Sequence, residues 1–274
     1  MSNTRPVVVV AEPRTGTNLL RTLAERSGGY RVAFEFLLPP KPKLPQMEVN
    51  FWSVLDSIGQ SCLCRWPRDG RRGQETFPAY LDELTRRAAG RPLWFDVKYV
   101  HLFLFEDGPF PGRPKLVELF AERSALFVHV RRRNLVEQHL SLLRASQTGE
   151  WRRPRNAGRK CQPPEDATEP TVRIDARSIV DSLRALRRRE ELLESMLSAD
   201  PAYRSLWYED MLVGERPSPQ VKALFRDLHG IELPSDLTPG VVKIAPPPDR
   251  LVENYGELCA ALAGTEFESM LPEK

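Results

Sequence analysis

The sequence predicts an α/β fold, a doubly wound parallel sheet of about five strands flanked by helices. Short apolar runs alternate with longer segments of helical period, as expected for parallel strands joined by crossover helices. The chain has 274 residues, 41% hydrophobic and 28% charged, which is enough for one sizeable core and too few to require two. We therefore expect a single domain over 1–274, with ligands at the carboxyl ends of the strands.

The elements follow in order along the chain, and helix stops such as Ser27-Gly28-Gly29 and Ala89-Gly90 separate several of them. The predicted strands are Pro6–Ala11, Tyr30–Phe34, Leu93–Tyr99, Ala125–Arg131 and Arg204–Tyr208. The predicted helices are Thr17–Ser27, Thr76–Ala89, Pro114–Arg123, Leu135–Gln147, Ser178–Leu197, Pro219–Leu228 and Asp249–Leu262.

Two segments interrupt this alternation. Leu37–Pro45 has four prolines in nine residues, and Glu150–Pro170 is rich in arginine, proline and acidic residues. Long loops in compact domains often act as lids or contact substrate. We expect loops of this kind at 37–75 and 148–172.

Composition excludes several classes of protein. The early apolar run Val7–Ala11 is too short for a signal peptide or a membrane span, and no later segment does better, so we expect a cytoplasmic protein. A net charge of +3 does not by itself indicate a nucleic-acid partner. Arginines nevertheless cluster at 131–133, 152–160 and 187–189, either as solvated surface or, for the first cluster, as an anion site.

The cysteines favour reduced, structural thiols and no metal. Their spacing matches neither a zinc site nor a disulfide framework. They are Cys62, Cys64, Cys161 and Cys259.

The first motif is the turn Pro13-Arg14-Thr15-Gly16-Thr17, which joins the first strand to the first helix. Such a junction aims backbone N–H groups and the positive end of a helix dipole at an anion. The loop lies where a Walker-type loop would lie, but Thr17 and Asn18 follow Gly16 in place of the expected lysine. The sequence therefore predicts an anion cradle that departs from the nucleotide-kinase pattern.

The second motif lies at the end of the fourth strand, where Arg131–Arg133 precede a helix that carries Ser141. Arg133 stands at the junction, and Ser141 follows about 12 Å further along the helix axis. The planar guanidinium suits phosphate oxygens, so Arg133 and Ser141 could hold one phosphate between them. A capping arginine and a surface serine are the structural alternative. Which arginine of the three binds phosphate stays open.

Together the two motifs resemble the sulfotransferases that use 3′-phosphoadenosine 5′-phosphosulfate (PAPS). In that family a Pro-[Lys/Arg]-[Ser/Thr]-Gly-[Thr/Ser] loop grips the 5′-phosphosulfate, and an arginine followed eight residues later by a serine grips the 3′-phosphate. Three further segments resemble the bacterial branch that sulfates trehalose or Nod-factor-type lipo-oligosaccharides. They are Trp207-Tyr208-Glu209-Asp210, Leu251-Val252-Glu253-Asn254-Tyr255 and Thr148-Gly149-Glu150-Trp151.

The resemblance implies a P-loop-like fold, PAPS as co-substrate, 3′-phosphoadenosine 5′-phosphate (PAP) as product, and no metal. Arg14 would neutralise charge that grows on the leaving phosphate oxygen. Lys98 would help to hold the sulfuryl oxygens, although an edge-strand lysine is the alternative. The implied donor-binding residues are Arg14, Thr15, Gly16, Thr17, Asn18, Arg133, Ser141 and, from the C-terminal loop, Lys243.

Two residues are candidates for the general base. Glu35 follows the second strand between two phenylalanines, where desolvation would raise its pKa, and relatives of the trehalose type have a glutamate in this region as the proposed base. His101 lies three residues after Lys98, one residue further than in the Lys-Thr-His pattern of cytosolic sulfotransferases, which turns it to the other face of a strand. This departure favours Glu35; a buried or capping role is the alternative for His101.

The acceptor is expected to be a hydroxyl of a carbohydrate, a glycolipid or a natural product. Phe51, Trp52 and Trp66 could stack on a sugar face or a lipid-like alcohol, although aromatics are also ordinary core residues. A homodimer stays open. The alternative functions are a small-molecule P-loop kinase, a nucleic-acid-binding protein and a non-catalytic nucleotide-binding protein.

Overall fold

The structure of the protein is a computed structural model that describes residues 5–34, 36–37, 48–58, 70–106, 112–151, 153–154, 170–242 and 245–272. Its centre is a five-stranded parallel sheet. The described residues contain nine strands in all, five in this sheet and four in small pairs outside it. They are β1 (Val7–Ala11), β2 (Arg31–Ala33), β3 (Leu93–Lys98), β4 (Leu126–Arg131), β5 (Arg153–Pro154), β6 (Tyr203–Trp207), β7 (Leu212–Val213), β8 (Arg216–Pro217) and β9 (Val241–Val242).

The main sheet has the strand order β2-β3-β1-β4-β6, and each neighbouring pair is parallel. The predicted α/β class and parallel sheet are confirmed, and each of the five predicted strands is correct to within one residue at either end. β1 lies in the middle and every one of its residues is buried, because helices cover both faces of such a sheet. β5 with β9, and β7 with β8, form small antiparallel pairs outside this sheet.

Ten α-helices are present in the described residues. They are α1 (Thr17–Arg26), α2 (Phe51–Ser57), α3 (Gly70–Arg87), α4 (Tyr99–Leu102), α5 (Lys115–Ala121), α6 (Leu135–Thr148), α7 (Ile179–Leu197), α8 (Pro219–His229), α9 (Pro248–Leu251) and α10 (Tyr255–Leu262). None of these helices is long and apolar enough to cross a membrane.

The helices bury their apolar stripes in three clusters. α1 and α8 pack on one face of the sheet, where Val7, Val9 and Ala11 point. α2, α3 and α5 pack on the other face, against Val8 and Val10. A third cluster joins α6, α7, α9 and α10 beyond the sheet. The layers leave the carboxyl ends of β1, β3, β4 and β6 at one edge.

Two predictions about local structure are wrong. The expected loop at 37–75 contains α2 and the start of α3, because Phe51, Val54 and Leu55 follow a helical spacing and bury their side chains in the core. The single helix predicted at Asp249–Leu262 is divided into α9 and α10. Val252 between them is extended (φ −101°, ψ 119°) and forms a parallel bridge with Val172.

Candidate active site

The β1–α1 loop is shaped for close approach to a ligand. Thr15 Oγ1 donates to the Glu12 carbonyl at 2.8 Å, and Gly16 caps α1 at φ +87°. A side chain at Gly16 would place a Cβ 2.9 Å from Tyr208 Cε2 and closer still to Cδ2, so the ring allows only glycine there. Arg14 also lies in the left-handed region, at φ +70°. This conformation is uncommon for a residue with a side chain and often marks a functional site.

The two sequence motifs meet through a hydrogen bond between Arg14 and Ser141. Arg14 Nε donates to Ser141 Oγ at 2.9 Å, and Arg14 Nη1 donates to the Trp151 carbonyl. Gln138 Nε2 donates to the Pro13 carbonyl at 3.0 Å and fixes the same loop to α6. The loop after β1 and the helix after β4 therefore share one site.

Two further arginines, Arg132 and Arg144, surround this contact. Arg132 Nη1 donates to the Arg14 carbonyl at 3.2 Å and its Nη2 to Glu137 at 2.6 Å. Arg144 Nη2 donates to Glu150 at 2.7 Å. Burial, and then the positive charges of Arg132 and Arg144, lower the pKa of the Arg14 guanidinium below its ordinary value.

Arg132 and Arg144 each keep one donor atom that is buried and without a partner. Their side chains are 5% and 4% exposed, and the Nε atom of each makes no hydrogen bond. A buried polar group is normally satisfied, because an unmet donor costs about 1–3 kcal/mol. An anion bound among Arg14, Arg132 and Arg144 would offset both this cost and the clustering of positive charge.

The structure does not bring Arg133 to Ser141. Arg133 pairs with Asp210, which raises the pKa of its guanidinium by hydrogen bonding, and its backbone N–H donates to Glu209 at 3.1 Å. Asn134 caps α6 by accepting from the Glu137 N–H at 2.8 Å. The Tyr208–Asp210 turn after β6 therefore supports the start of α6.

Arg131 lies on the other side of the strand end. Its Nη1 pairs with Glu194 at 2.5 Å, its Nε lies 3.7 Å from Glu190, and its guanidinium stacks on Trp207. Burial raises the pKa of Glu190 to about 7, although Arg131 opposes the shift. Of the three consecutive arginines, Arg132 is the one that contacts the cradle.

Lys98 reaches the first turn of α1 from the end of β3. Its Nζ donates to Thr17 Oγ1 at 2.6 Å and to Asp96 Oδ1 at 2.8 Å. Asp96 is buried on the central sheet and its Oδ2 has no hydrogen-bond partner. Lys98 is thus held at the cradle by one hydroxyl and one carboxylate.

His101 is buried in the short helix α4. Its Nδ1 accepts from the Lys98 backbone N–H at 3.3 Å. Burial, and then the charge of Lys98, lower the pKa of the imidazole to about 4. His101 is therefore neutral at neutral pH and links the end of β3 to the following turn.

The remaining predicted residues lie elsewhere in the structure or outside the described residues. Asn18 accepts a bond from Arg21 at 3.4 Å in the first turns of α1. Glu35 and Lys243 lie outside the described residues, as do Trp66 and the side chain of Trp52. Arg189 of the third arginine cluster pairs with Glu12, and Arg187 stacks on Phe267.

Comparison with known protein families gives one match. Residues 83–203 match the family model of the Stf0 sulphotransferases. The match confirms the predicted resemblance, including its bacterial trehalose-type branch, and supports a sulfotransferase. No curated protein matches the chain.

The sulphotransferase match extends from within α3 to the start of β6. It includes Lys98, His101, Arg132, Ser141 and Arg144 but not the β1–α1 loop. The hydrogen bonds from Arg14 and Gln138 connect that loop to the matched region. The described residues contain no group of three or more histidines, cysteines and acidic residues that could hold a metal ion.

Arg132, Gln138, Arg144 and Tyr208 also contribute to this candidate site. The sequence left Arg132 open among the three consecutive arginines, and it did not single out Gln138, Arg144 or the contact of Tyr208. Gln138 and Arg144 lie three residues before and after Ser141, a spacing that puts all three on one side of α6. This periodicity was a usable signal. Nothing in the sequence indicated the contact of Tyr208 with Gly16, which depends on how β6 lies against the rest of the sheet.

Proposed function

We propose that the protein transfers a sulfuryl group from PAPS to a hydroxyl of a carbohydrate, glycolipid or natural-product acceptor. The observation that carries this proposal is the hydrogen bond between Arg14 and Ser141. It joins a phosphosulfate-type loop to the helix that follows the arginine cluster. Sulfuryl donors of this class carry phosphate at both the 5′ and 3′ positions. A site that two phosphate-binding motifs form together suits such a donor.

The residues at the site fit the donor's phosphates. Arg14, Ser141 and the unpaired Nε donors of Arg132 and Arg144 offer a cluster of positive charge and hydrogen bonds. The N–H groups of Thr15–Asn18 at the start of the ten-residue helix α1 add to it. Arg133 would have to leave Asp210 to join them, and Lys243 is proposed as an additional nucleotide contact.

The cradle needs no lysine of the Walker type. In a kinase that lysine and a bound Mg²⁺ offset the charge of a triphosphate. Here Arg14 supplies the positive charge inside the loop, and Lys98 adds a second charge 2.6 Å from the Thr17 hydroxyl. Positive groups held in place before reaction stabilise charge that appears only in the transition state.

The proposed reaction is direct in-line transfer without a covalent enzyme intermediate. The acceptor oxygen bonds to sulfur, the bond from sulfur to the 5′-phosphate oxygen breaks, and its electron pair stays on that oxygen of PAP. Arg14 neutralises the charge that develops there, and Lys98 orients the sulfuryl oxygens. Glu35 takes the acceptor proton, with His101 as the alternative base.

Calorimetric titration with PAP tests the donor assignment. We expect binding that is unchanged when Mg²⁺ is replaced by a chelator, and weaker binding of ATP with Mg²⁺. The matched control is Arg14→Ala combined with Ser141→Ala, which should remove most of the PAP affinity. A protein that prefers ATP with Mg²⁺ would be a kinase, and one that binds neither nucleotide would not be a PAPS-dependent enzyme.

Turnover is then measured with labelled PAPS and a panel of hydroxyl acceptors. Sugars, glycolipids and natural-product alcohols form the first panel. Transfer of label to an acceptor, dependent on Arg14, would establish the activity. Tight PAP binding without transfer to any acceptor would instead favour a non-catalytic nucleotide-binding protein.

A further inference from the structure

Asp96 is a carboxylate buried in the middle of strand β3. The strand reads Leu-Trp-Phe-Asp-Val-Lys, and Asp96 is 2% exposed. Side chains alternate between the two faces of a strand, so Asp96 lies on the same face as Trp94, which α1 and α8 cover. Its register partner on β1 is Val9, which is buried on that face too. Asp96 therefore places a charge next to apolar side chains.

Lys98 is the one hydrogen-bonding partner of this carboxylate in the described part of the chain. Lys98 Nζ donates to Asp96 Oδ1 at 2.8 Å, whereas Asp96 Oδ2 is buried and makes no hydrogen bond. Burying a carboxylate is costly, and replacing a buried ion pair by apolar side chains often leaves stability unchanged or raises it. The burial of this charge therefore needs a reason other than stability.

The ion pair holds the Lys98 ammonium at the anion cradle. The second bond of Nζ, 2.6 Å long, goes to Thr17 Oγ1 at the first residue of α1. An ammonium has three N–H donors, so these two bonds leave one donor for a bound anion. The Asp96 side chain is 1% exposed and that of Lys98 is 20% exposed. Asp96 is thus too deeply buried to contact a ligand and can act only through the lysine.

Fixing the ammonium in advance has a chemical use. A lysine side chain is long and flexible, and its charge stabilises a transition state most when it needs no rearrangement at the moment of reaction. The carboxylate of Asp96 also balances the charge that Lys98 adds to a cradle that already contains Arg14 and Arg132. Both effects depend on the negative charge of Asp96.

We propose that Asp96 is a positioning residue for Lys98 in the transfer reaction. The assignment rests on the proposed sulfotransferase function, in which Lys98 orients the sulfuryl oxygens. Asp96 contacts neither donor nor acceptor; its ion pair determines where the ammonium lies while the bond from sulfur to the 5′-phosphate oxygen breaks. Loss of Asp96 should affect the chemical step and leave PAP binding nearly unchanged, because PAP lacks the sulfuryl group.

The kinetic test is a double-mutant cycle between Asp96 and Lys98. Turnover is measured with labelled PAPS and the most active acceptor of the panel, and PAP affinity by calorimetry. Asp96→Asn keeps the size of the side chain and removes its charge. It should lower kcat at least tenfold and change PAP affinity less than threefold. In the Lys98→Gln background the same substitution should change kcat less than twofold, because its effect passes through the lysine.

Asp200 provides the matched control. It forms an ion pair of similar length with Arg113, 2.7 Å from Nη2 to Oδ2, and its side chain is 15% exposed. Asp200 lies between α7 and β6, at the amino end of the strands and away from the cradle. Asp200→Asn should therefore keep kcat within twofold of wild type, even where thermal unfolding shows a loss of stability.

A second measurement needs neither donor nor acceptor. In protein labelled with ¹⁵N-lysine, an ammonium gives an NMR signal of its own when hydrogen bonds and burial slow the exchange of its protons with water. We expect such a signal for Lys98 in the wild type, assigned by its absence in Lys98→Gln. Asp96→Asn should lose the signal, and Asp200→Asn should retain it.

Several results would overturn the assignment. A normal kcat in Asp96→Asn, or an equal fall of kcat in the Lys98→Gln background, would mean that Asp96 does not act through the lysine. An equal fall in Asp200→Asn would reduce the effect to a general loss of stability. Persistence of the Lys98 signal in Asp96→Asn, or its absence from the wild type, would show that the ion pair does not hold the ammonium.

Folding of the variants and the reaction itself are checked separately. If Asp96→Asn does not fold, Asp96→Leu places an apolar group of similar size on the same apolar face, and the same results are expected. Loss of folding in both variants would make Asp96 a structural residue and refute the assignment. A wild type that neither binds PAP nor transfers label would refute the proposed function instead, and the ¹⁵N signal would still test whether Asp96 holds Lys98.

Discussion

Arg133 and Asp210 face each other through two parallel hydrogen bonds, from Nη1 to Oδ1 and from Nη2 to Oδ2, each 2.7 Å long. This arrangement uses the planar fork of the guanidinium and ties the start of α6 to the turn after β6. The Arg133 side chain is 50% exposed, whereas its neighbour Arg132 is buried against the cradle. The two adjacent arginines therefore differ in what their loss should do.

Arg132→Gln should weaken PAP binding at least tenfold, and Arg133→Gln less than about threefold. A buried hydrogen bond to a charged group contributes about 1.5–3 kcal/mol, whereas an exposed ion pair is screened by solvent and contributes little. Calorimetry measures both affinities, and Arg132→Lys is the conservative control. The opposite ranking would mean that Arg133 leaves Asp210 and binds the 3′-phosphate.

Arg14→Ala should lower kcat about 10²- to 10³-fold, the usual effect of removing one preorganised group that stabilises transition-state charge. It should also lower PAP affinity, because Arg14 borders the same site as Ser141. Single-turnover kinetics separate the chemical step from binding. Arg14→Lys should recover part of the rate, and an alanine variant with normal turnover would contradict the proposed role.

Gly16→Ala should destabilise the protein by more than about 2 kcal/mol. The added Cβ would meet the Tyr208 ring, and its φ of +87° already disfavours a side chain. Gly149→Ala is the control, since its φ is +70° but no atom lies within 4 Å of the added Cβ. It should cost only about 1 kcal/mol of backbone strain. Urea unfolding of both variants gives the steric contribution as the difference, and equal losses would argue against the clash.

Stability should depend on the protonation of Glu190. Its pKa is about 7 in the folded protein, above the ordinary value, so the folded state binds more protons than the unfolded state between about pH 4.5 and 7. The stability of the wild type relative to Glu190→Gln should therefore fall as pH rises through this window, by up to about 3 kcal/mol, and stay constant above it. Urea unfolding at a series of pH values measures the difference.

The groups that face Glu190 determine the size of this effect. Arg131 and the backbone N–H of Arg132 favour its charged form, and Glu194 and Glu209 oppose it. A flat difference between the wild type and Glu190→Gln across pH 4.5–7 would show that Arg131 compensates the burial. Such a result would place the pKa of Glu190 at its ordinary value.

Two variants test which group is the general base. Glu35→Gln should abolish sulfuryl transfer and leave PAP binding intact, because the amide cannot accept a proton. His101→Gln should retain transfer, although the loss of the imidazole acceptor for the Lys98 N–H should lower stability. Turnover, PAP affinity and thermal unfolding are measured for both variants. Transfer lost only in His101→Gln would identify the histidine as the base.

The sheet could be predicted from the sequence because its central strands are short apolar runs that are buried on both faces. β1 is buried throughout, and its run Val7–Ala11 is visible without any knowledge of partners. The carboxyl-end location of Arg14, Lys98 and Arg132 follows from parallel topology alone. The sequence analysis missed α2 because this short helix follows a proline-rich segment that suggested a continuous loop. The burial of α2 depends on the core around Phe51.

The pairing of side chains within the site could not be predicted in the same way. Arg133 and Ser141 have a spacing that permits a shared phosphate, yet Asp210 lies closer to Arg133 and carries the opposite charge. Such a competitor comes from the turn after another strand, 77 residues further along the chain. Spacing shows what two residues of one segment can reach, and only the packed structure shows what else is within reach.

The backbone of Arg14 has a consequence for engineering this protein. A residue with a side chain at φ +70° destabilises the fold by about 1–2 kcal/mol, and glycine would remove that strain. Selection of a variant library for heat resistance alone should therefore replace Arg14 early. The selected proteins would be more thermostable but would no longer bind anions. Directed evolution of this scaffold needs a nucleotide-binding screen alongside the thermal one.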